Sequence, residues 1–408
     1  MKGYIMAAGD GTRMRPLTAN TSKSLLPVAG KPFIEHSILA LKENGIADIC
    51  ILIGWGGREI RDQLGDGGRL GVRLRYAEQE KRLGTAHAIG MVRDVMKEEF
   101  VALNGDILVS AKTVGGLIDT ATKAGKSAMT LTRVSNPSQF GVVEVENGMV
   151  KKIHEKPKVP PSDLVNAGAY FFKPDVFESI AKTGLSPRGE YELTDSLEMM
   201  AGGDGVATYV SSEEWIDVGR PWDLLRANHI LMKGMTPKIE GEVEERASLR
   251  GPVSVGKGSI IRNGAYIIGP VIIGEGCDIG PNCFIRPSTY VGDGCKVGNG
   301  CEVKNTIIMA GSHVPHLNYV GDSVIGQRCN LGAGTKVANL RLDGANIKVT
   351  LKGERVDTGL RKLGVIMGDD VKTGINASFD VGTVVGEESF IGPGALASGF
   401  IAPRSRVM

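Results

Sequence analysis

The stretch IGEGCDIGPNCFIRPSTYVGDGCKVGNGCEV, residues 273–303, carries one aliphatic residue every six positions, usually with glycine behind it. Stepping outward in sixes, Val255, Ile261, Ile267, Ile273, Ile279, Ile285, Val291, Val297, Val303 and Met309 are all apolar. The phase returns at Ile325, Leu331 and Val337, and again at Met367, Phe379, Val385 and Ile391. A period of six fits neither an isolated helix nor an ordinary hairpin. It fits coils of three short faces and roughly eighteen residues, with one inward aliphatic per face: the hexapeptide β-helix. Cys277, Cys283, Cys295, Cys301 and Cys329 stand four residues after an inward aliphatic, a slot shared with Ser259, Ala265, Thr289, Thr335, Ala377 and Thr383. The slot reads as a small corner position, with Cys277 stacked on Cys295 and Cys283 on Cys301. Zinc-ligand spacing is absent, and free thiols are expected in a reducing compartment.

Residues 1–230 have a different rhythm. Apolar strand patterns at 4–8, 49–53, 74–77 and 100–103 alternate with helical spacing at 33–43, 58–64 and 86–95. This predicts an α/β domain with a Rossmann-like mixed, mostly parallel sheet, whose ligands bind beyond the carboxyl ends of the strands. A helix is expected within residues 220–235, a linker over 231–250 and the β-helix over 251–408. The chain has 408 residues, 23% charged, with a formal net charge of +2. That balance gives no reason to expect nucleic acid or an anionic membrane as partner. No apolar run reaches the roughly 18 to 20 residues of a membrane helix, and a cytoplasmic protein is expected.

The first strand runs into AAGDGTRMRPLTANTSKSLLPVAGKP, residues 7–32. Glycines after a strand let backbone N–H groups approach phosphate oxygens, and a following helix would add its positive end. Arg13 and Lys23 add cations that suit a moving phosphoryl or nucleotidyl group. The spacing is neither a Walker loop nor GxGxxG, and by itself it also fits a glycine turn with two solvated cations.

The longer stretch GDGTRMRPLTANTSKSLLPVAGKP resembles the signature of the sugar-1-phosphate nucleotidyltransferases. The likeness continues in family order through AEQEKRLGTAHAI, LNGD, FGVVE, HEKP, NAGAYFF, EYELTD and WIDVG. It implies that Ala8, Gly9, Gly11 and Thr12 hold a nucleoside triphosphate, with Arg13 and Lys23 on its reacting phosphates. Gln79, Gly84 and Thr85 would face the base. Gly141, Glu155 and Asn166 would contact the sugar, and Lys156 its phosphate. Asp106 and Asp217 would bind Mg²⁺. Asp106 in Asn-Gly-Asp also suits a plain turn, and Asp223 competes with Asp217. The chemistry agrees with the residues: two anionic reactants meet only where cations neutralise and align them for in-line displacement.

Residues 313–340, HVPHLNYVGDSVIGQRCNLGAGTKVANL, resemble the acetyltransferase half of the bifunctional N-acetylglucosamine-1-phosphate uridylyltransferase/glucosamine-1-phosphate N-acetyltransferases. The resemblance implies a left-handed β-helix, a homotrimer and acetyl-CoA as cosubstrate. His316 falls on the family's catalytic histidine. Arg286, Lys304, Tyr319 and Asn330 fall on sugar-phosphate contacts, and Ala333 and Asn339 on positions that meet acetyl-CoA and the reacting amine. An imidazole suits removal of the amine proton as the amine attacks a thioester. The N–H groups of Gly332 to Gly334 are expected to stabilise the oxyanion. Alone, His316 also fits a surface loop, as His313 does.

The chain departs from the bacterial pattern in ANLRLDGAN and in the segment 349–364, expected as a β-excursion over the CoA groove. The mixture most resembles the archaeal-type bifunctional enzymes. Two other readings stay open: a glucose-1-phosphate or mannose-1-phosphate nucleotidyltransferase on an inert β-helix, and a non-catalytic regulatory subunit. Intact Arg13, Lys23, Asp106 and Asp217 weigh against the second, and intact His316, Arg286 and Lys304 against the first.

Overall fold

The computed structural model describes residues 1–408 and divides into two compact units. One comprises residues 1–10 and 33–217, the other residues 11–32 and 218–408.

The first unit is built on a nine-stranded sheet. Its strands are β1 (Lys2–Ala7), β2 (Asp48–Ile53), β3 (Arg73–Glu78), β4 (Phe100–Asn104), β5 (Ala128–Arg133), β6 (Gly141–Glu146), β7 (Met149–Glu155), β8 (Leu164–Phe172) and β9 (Ala207–Val210). Their spatial order is β3-β2-β1-β4-β8-β5-β9-β7-β6. The β3-β2-β1-β4 half is parallel, as strands separated by helices require. Strand β8 then enters antiparallel to both β4 and β5, and β6 and β7 form a hairpin. The continuous parallel run is therefore confined to one half, and in the other only β5 and β9 pair parallel. The hairpin has a local cause: Asn147 and Gly148 both take positive φ, the two-residue turn that Asn-Gly favours.

The expected helix over 33–43 is present as α1 (Phe33–Glu43), its Ile34, Ile38 and Leu41 buried. That over 86–95 is shorter, α2 (Thr85–Gly90). Phe100, Phe172, Phe177 and Tyr170 pack ring on ring in the core, with centroids 5.3–5.8 Å apart. No helix is long and apolar enough to cross a membrane.

In the second unit the six-residue pattern becomes three rows of short parallel strands. Ile261, Ile279 and Val297 stack in one row, Ile267, Ile285 and Val303 in another, Val255, Ile273 and Val291 in the third. Each is buried in one continuous apolar core, and each contributes roughly 1.5–3 kcal/mol by leaving water. The phase slips more than once, in two successive coils and again where Val385 pairs with Ile401. Val291 pairs with Ile308 rather than with Met309, and Ile308 with Ile325. Each of these two coils takes 17 residues, as in the Asn305–Asp322 separation, where earlier coils take 18, as in Ser259–Cys277. Asn305 and Asp322 occupy the tightened corner in left-handed conformation.

The small slot has a polar reason as well as a steric one. Cys277, Cys295, Cys301 and Cys329 each point their thiol 3.1 Å from a carbonyl of the next coil, at Gly292, Met309, Val314 and Gly368. Ser259 and Ser312 place a hydroxyl in the same way. At these coils the position takes a small side chain with one proton to donate, while Ala265 and Ala377 show that size alone suffices elsewhere. All the cysteines are free and buried, and burial pushes Cys283, Cys295 and Cys329 up to about 12.

Residues 349–364 leave the coil as expected. Lys348–Leu351 and Glu354–Asp357 form an antiparallel hairpin, after which Met367 pairs with Ile325.

Candidate active sites

The glycine-rich stretch is shared between the units. In the first, Ala8 is buried at the end of β1, and a methyl at Gly9 would meet nothing within 4 Å. Asp10 is held by Arg82 at 2.7 Å. In the second, Gly11 takes φ +61°, and a Cβ there would lie 3.0 Å from Cβ of Lys23. The turn closes on the lysine stem because position 11 has no side chain. Met14 N and the Thr18 hydroxyl both donate to the Gly11 carbonyl at 2.8 Å. Thr12, Arg13 and Lys23 are thereby gathered around one turn.

The expected helix after this loop is missing. Thr12–Met14 and Lys23–Leu25 are single 3₁₀ turns. Pro16 explains the break, for it holds Arg15 extended, at ψ 141°. No helix dipole supports the loop, so its positive charge rests on Arg13 and Lys23.

In the first unit, a short antiparallel pairing of Ile216–Asp217 with Ile107–Leu108 sets Asp217 opposite Ile107, the chain neighbour of Asp106. No group of three or more His, Cys, Asp or Glu forms a metal cluster. Two carboxylates nevertheless fit Mg²⁺, a hard cation that usually keeps waters and substrate phosphates as its other ligands.

Asp223, the rival of Asp217 in sequence, has a structural task. Its carboxylate accepts from Gly219 N and Arg220 N at 3.0 and 2.7 Å, at the start of α3 (Asp223–Met232). Burial raises it to about 6, against the pull of those N–H groups, Arg220 and Lys23. An unfolded aspartate ionises near pH 4, so between about pH 4 and 6 the folded state holds the extra proton. Stability then falls as pH rises through that window, by about 2 kcal/mol after allowance for partial exposure. Asp223→Asn is expected to remove this slope from urea midpoints measured against pH, and an unchanged slope would assign it elsewhere.

The residues expected to face the base are firmly held. Gln79 is buried with its amide nitrogen 2.8 Å from His87 Nδ1. Gly84 takes φ +108°, and a Cβ there would sit 2.4 Å from the Tyr191 carbonyl. Thr85 Oγ1 accepts from Leu193 N at 2.9 Å. The expected sugar residues also converge. Gly141 pairs with Glu155, whose carboxylate would lie 3.2 Å from a Cβ at position 141. Asn166 donates to the Tyr170 hydroxyl at 2.8 Å. Burial, with the charges of Glu155 and Asp106, raises the Tyr170 phenol well above its usual range. Glu155 draws in Lys156 at 3.7 Å and Arg188 at 3.2 Å, and Arg188 also reaches Glu192 at 2.8 Å. Arg188 escaped the sequence reading, although it lies just before EYELTD.

On the β-helix the residues fall into separate sets. Arg286 and Lys304 stack one coil apart at a single corner, Arg286 held by Glu302 at 2.8 Å. Lys304 pairs at 2.9 Å with Asp322, which is only 4% exposed. Asp322 also accepts from Asn305 and Asn339, and Asn339 reaches the Tyr319 hydroxyl at 3.2 Å. Gly321 leaves room for this, since a Cβ there would lie 2.7 Å from the Asn339 amide. Asp322 is the hub, and only its place in the GD of NYVGD hinted at it. His316 is exposed in the turn before Tyr319–Gly321 and stacks on the next coil through Gly334 N at 2.9 Å, beside Ala333. Asn330 lies in another row, between His313 and Lys372.

Two of the three expected oxyanion donors are otherwise engaged. Gly332 N donates to the Thr373 carbonyl and hydroxyl, and Gly334 N to His316 O. Coil-to-coil hydrogen bonding takes precedence, because an unpaired backbone N–H inside a β-helix is costly.

Residues 2–234 match the family model described as nucleotidyl transferase, and residues 267–403 that described as GMPPB C-terminal domain. A protein of Methanocaldococcus jannaschii named bifunctional protein GlmU is 40% identical over 97% of this chain and 94% of its own. One of Sulfurisphaera tokodaii named bifunctional sugar-1-phosphate nucleotidylyltransferase/acetyltransferase is 37% identical over 98% and 97%. Among solved structures, a putative glucose-1-phosphate thymidylyltransferase of Bacillus anthracis is 33% identical with TM-score 0.54, covering 58% of this chain and 96% of that one. On the strength of the matched first domain and the full-length relatives, the chain belongs to the nucleotidyl transferase family, in its two-domain bifunctional GlmU-type branch.

Proposed function

We propose that the chain performs two transfers: acetylation of glucosamine-1-phosphate by acetyl-CoA, and coupling of N-acetylglucosamine-1-phosphate to UTP or dTTP with release of pyrophosphate. In the first, the sugar amine attacks the thioester carbonyl, His316 takes the amine proton, and the CoA thiolate leaves. Arg286 and Lys304 hold the sugar phosphate, and Asn339 with Tyr319 orient the amine side. In the second, a phosphate oxygen of the sugar attacks the α-phosphorus and pyrophosphate departs in line. Arg13 and Lys23 neutralise the crowded phosphates, the backbone of residues 9–12 cradles them, and Asp106 and Asp217 are the ligands for Mg²⁺. When bound, that ion supplies charge stabilisation at the reacting phosphates.

The observation that carries the double reading is the Lys304–Asp322–Asn339–Tyr319 cluster. A scaffold gains little from a sequestered ion pair, because the desolvation cost can exceed the attraction. The separation of His316 from the Arg286–Lys304 corner supports a homotrimer in which neighbouring copies complete each acetyl-transfer site. Leu317 and Leu396, 58% and 67% exposed, provide apolar surface for such contacts. The C-terminal family match keeps a second reading in view, nucleotidyl transfer on a structural β-helix. Wild-type protein is expected to release CoA with glucosamine-1-phosphate and pyrophosphate with the acetylated sugar phosphate. Pyrophosphate release without any CoA release would leave the scaffold reading standing.

A further inference from the structure

The hairpin of residues 348–357 starts from the coils that carry the proposed acetyl-transfer residues. Leu363 N donates to Asn339 O at 3.0 Å and Gly364 N to Asp322 O at 2.8 Å, so the excursion is fastened where it leaves and where it returns. Val349 is fully buried. Four residue pairs, from Lys348↔Asp357 to Leu351↔Glu354, leave Lys352 and Gly353 as a two-residue turn. Both have positive φ, the geometry of a tight and stiff hairpin tip. From that tip the Lys352 ammonium donates to Thr12 Oγ1 at 2.8 Å.

Thr12 belongs to the glycine-rich loop, and the loop is tied to the β-helix at further points. Ala29 N donates to Asn228, whose amide donates in turn to Ser288 O, both at 2.9 Å. Pro16 packs against Gly368, where an added Cβ would lie 3.0 Å away, and the Asn20 side chain bonds to Asp369. The contact at Lys352 therefore joins two fastened segments.

We propose that Lys352 is a further triphosphate-binding residue, a third cation that the β-helix excursion supplies to the turn holding Thr12, Arg13 and Lys23. The inference rests on the reading of that turn as the triphosphate site. An ammonium already within hydrogen-bond distance of the Thr12 hydroxyl needs only a side-chain rotation to meet a phosphate oxygen there. Lysine suits the task, being a compact charge on a flexible stem.

The test uses full-length protein, with wild type, Lys352→Gln, Lys352→Arg and Arg13→Ala compared by UTP-binding calorimetry and by pyrophosphate release. Lys352→Gln is expected to weaken UTP binding and raise its KM about fivefold, as loss of one exposed charge-assisted contact would. Lys352→Arg should recover most of the affinity, while the KM for the sugar phosphate and the rate of acetyl transfer stay unchanged. UTP binding that weakens in Arg13→Ala but not in Lys352→Gln would overturn the proposal alone. Binding that weakens in neither would overturn the reading of the loop beneath it.

Discussion

His316→Ala is expected to lose acetyl transfer by two to four orders of magnitude, the usual worth of a positioned general base, while pyrophosphate release stays at the wild-type level. The structure makes this a clean test. The side chain is exposed, so its removal opens no cavity in the core. The backbone rungs of its turn, Gly334 N to His316 O and Leu317 N to Asn299 O, are independent of the imidazole. Unfolding midpoints should therefore match wild type, and CoA release at fixed acetyl-CoA and glucosamine-1-phosphate reports the loss. A variant that acetylates normally would remove histidine from the mechanism. Loss of both reactions in a protein that unfolds like wild type would contradict two independent sites.

Asp106→Ala is expected to act in the opposite sense, lowering pyrophosphate release about a thousandfold, or several kcal/mol of transition-state stabilisation, with acetyl transfer intact. The pairing sets Asp217 opposite Ile107, the chain neighbour of Asp106, and both aspartates are expected to serve the same ion. Asp217→Ala should thus cost a similar factor, and the double variant little more than either alone, since groups acting together are not additive. Titration with Mg²⁺ gives a second readout, because either single variant should need more of the ion for half-maximal rate. Full additivity of the two losses would mean that the aspartates serve separate purposes.

Much of the protein is visible in its residue order because the relevant forces are local or periodic. The inward aliphatics had to recur every six residues, since each coil repeats the same three faces, and Phe33–Glu43 had to show helical spacing to bury one side. The slip at Ile308 was hidden because Met309 is also apolar, and only strand register distinguishes the two. The missing helix after Gly11 follows from Pro16, a signal present in the sequence but outweighed by the expectation of a phosphate-binding helix. The glycines of residues 332–334 suggested oxyanion donors, yet whether an N–H is available depends on the neighbouring coil.

By itself, then, the sequence determined the two architectures and the order of their elements, and it pointed to the charged residues proposed for each reaction, because periodicity and short motifs are properties of neighbours along the chain. Only the tertiary structure decided that Asp322 is the hub for Lys304, Asn305 and Asn339, that Arg188 bridges Glu155 and Glu192, and that Lys352 meets Thr12. These are contacts between side chains far apart in sequence or on different coils. Their partners are chosen by how strands stack and hairpins project, and no local preference records that.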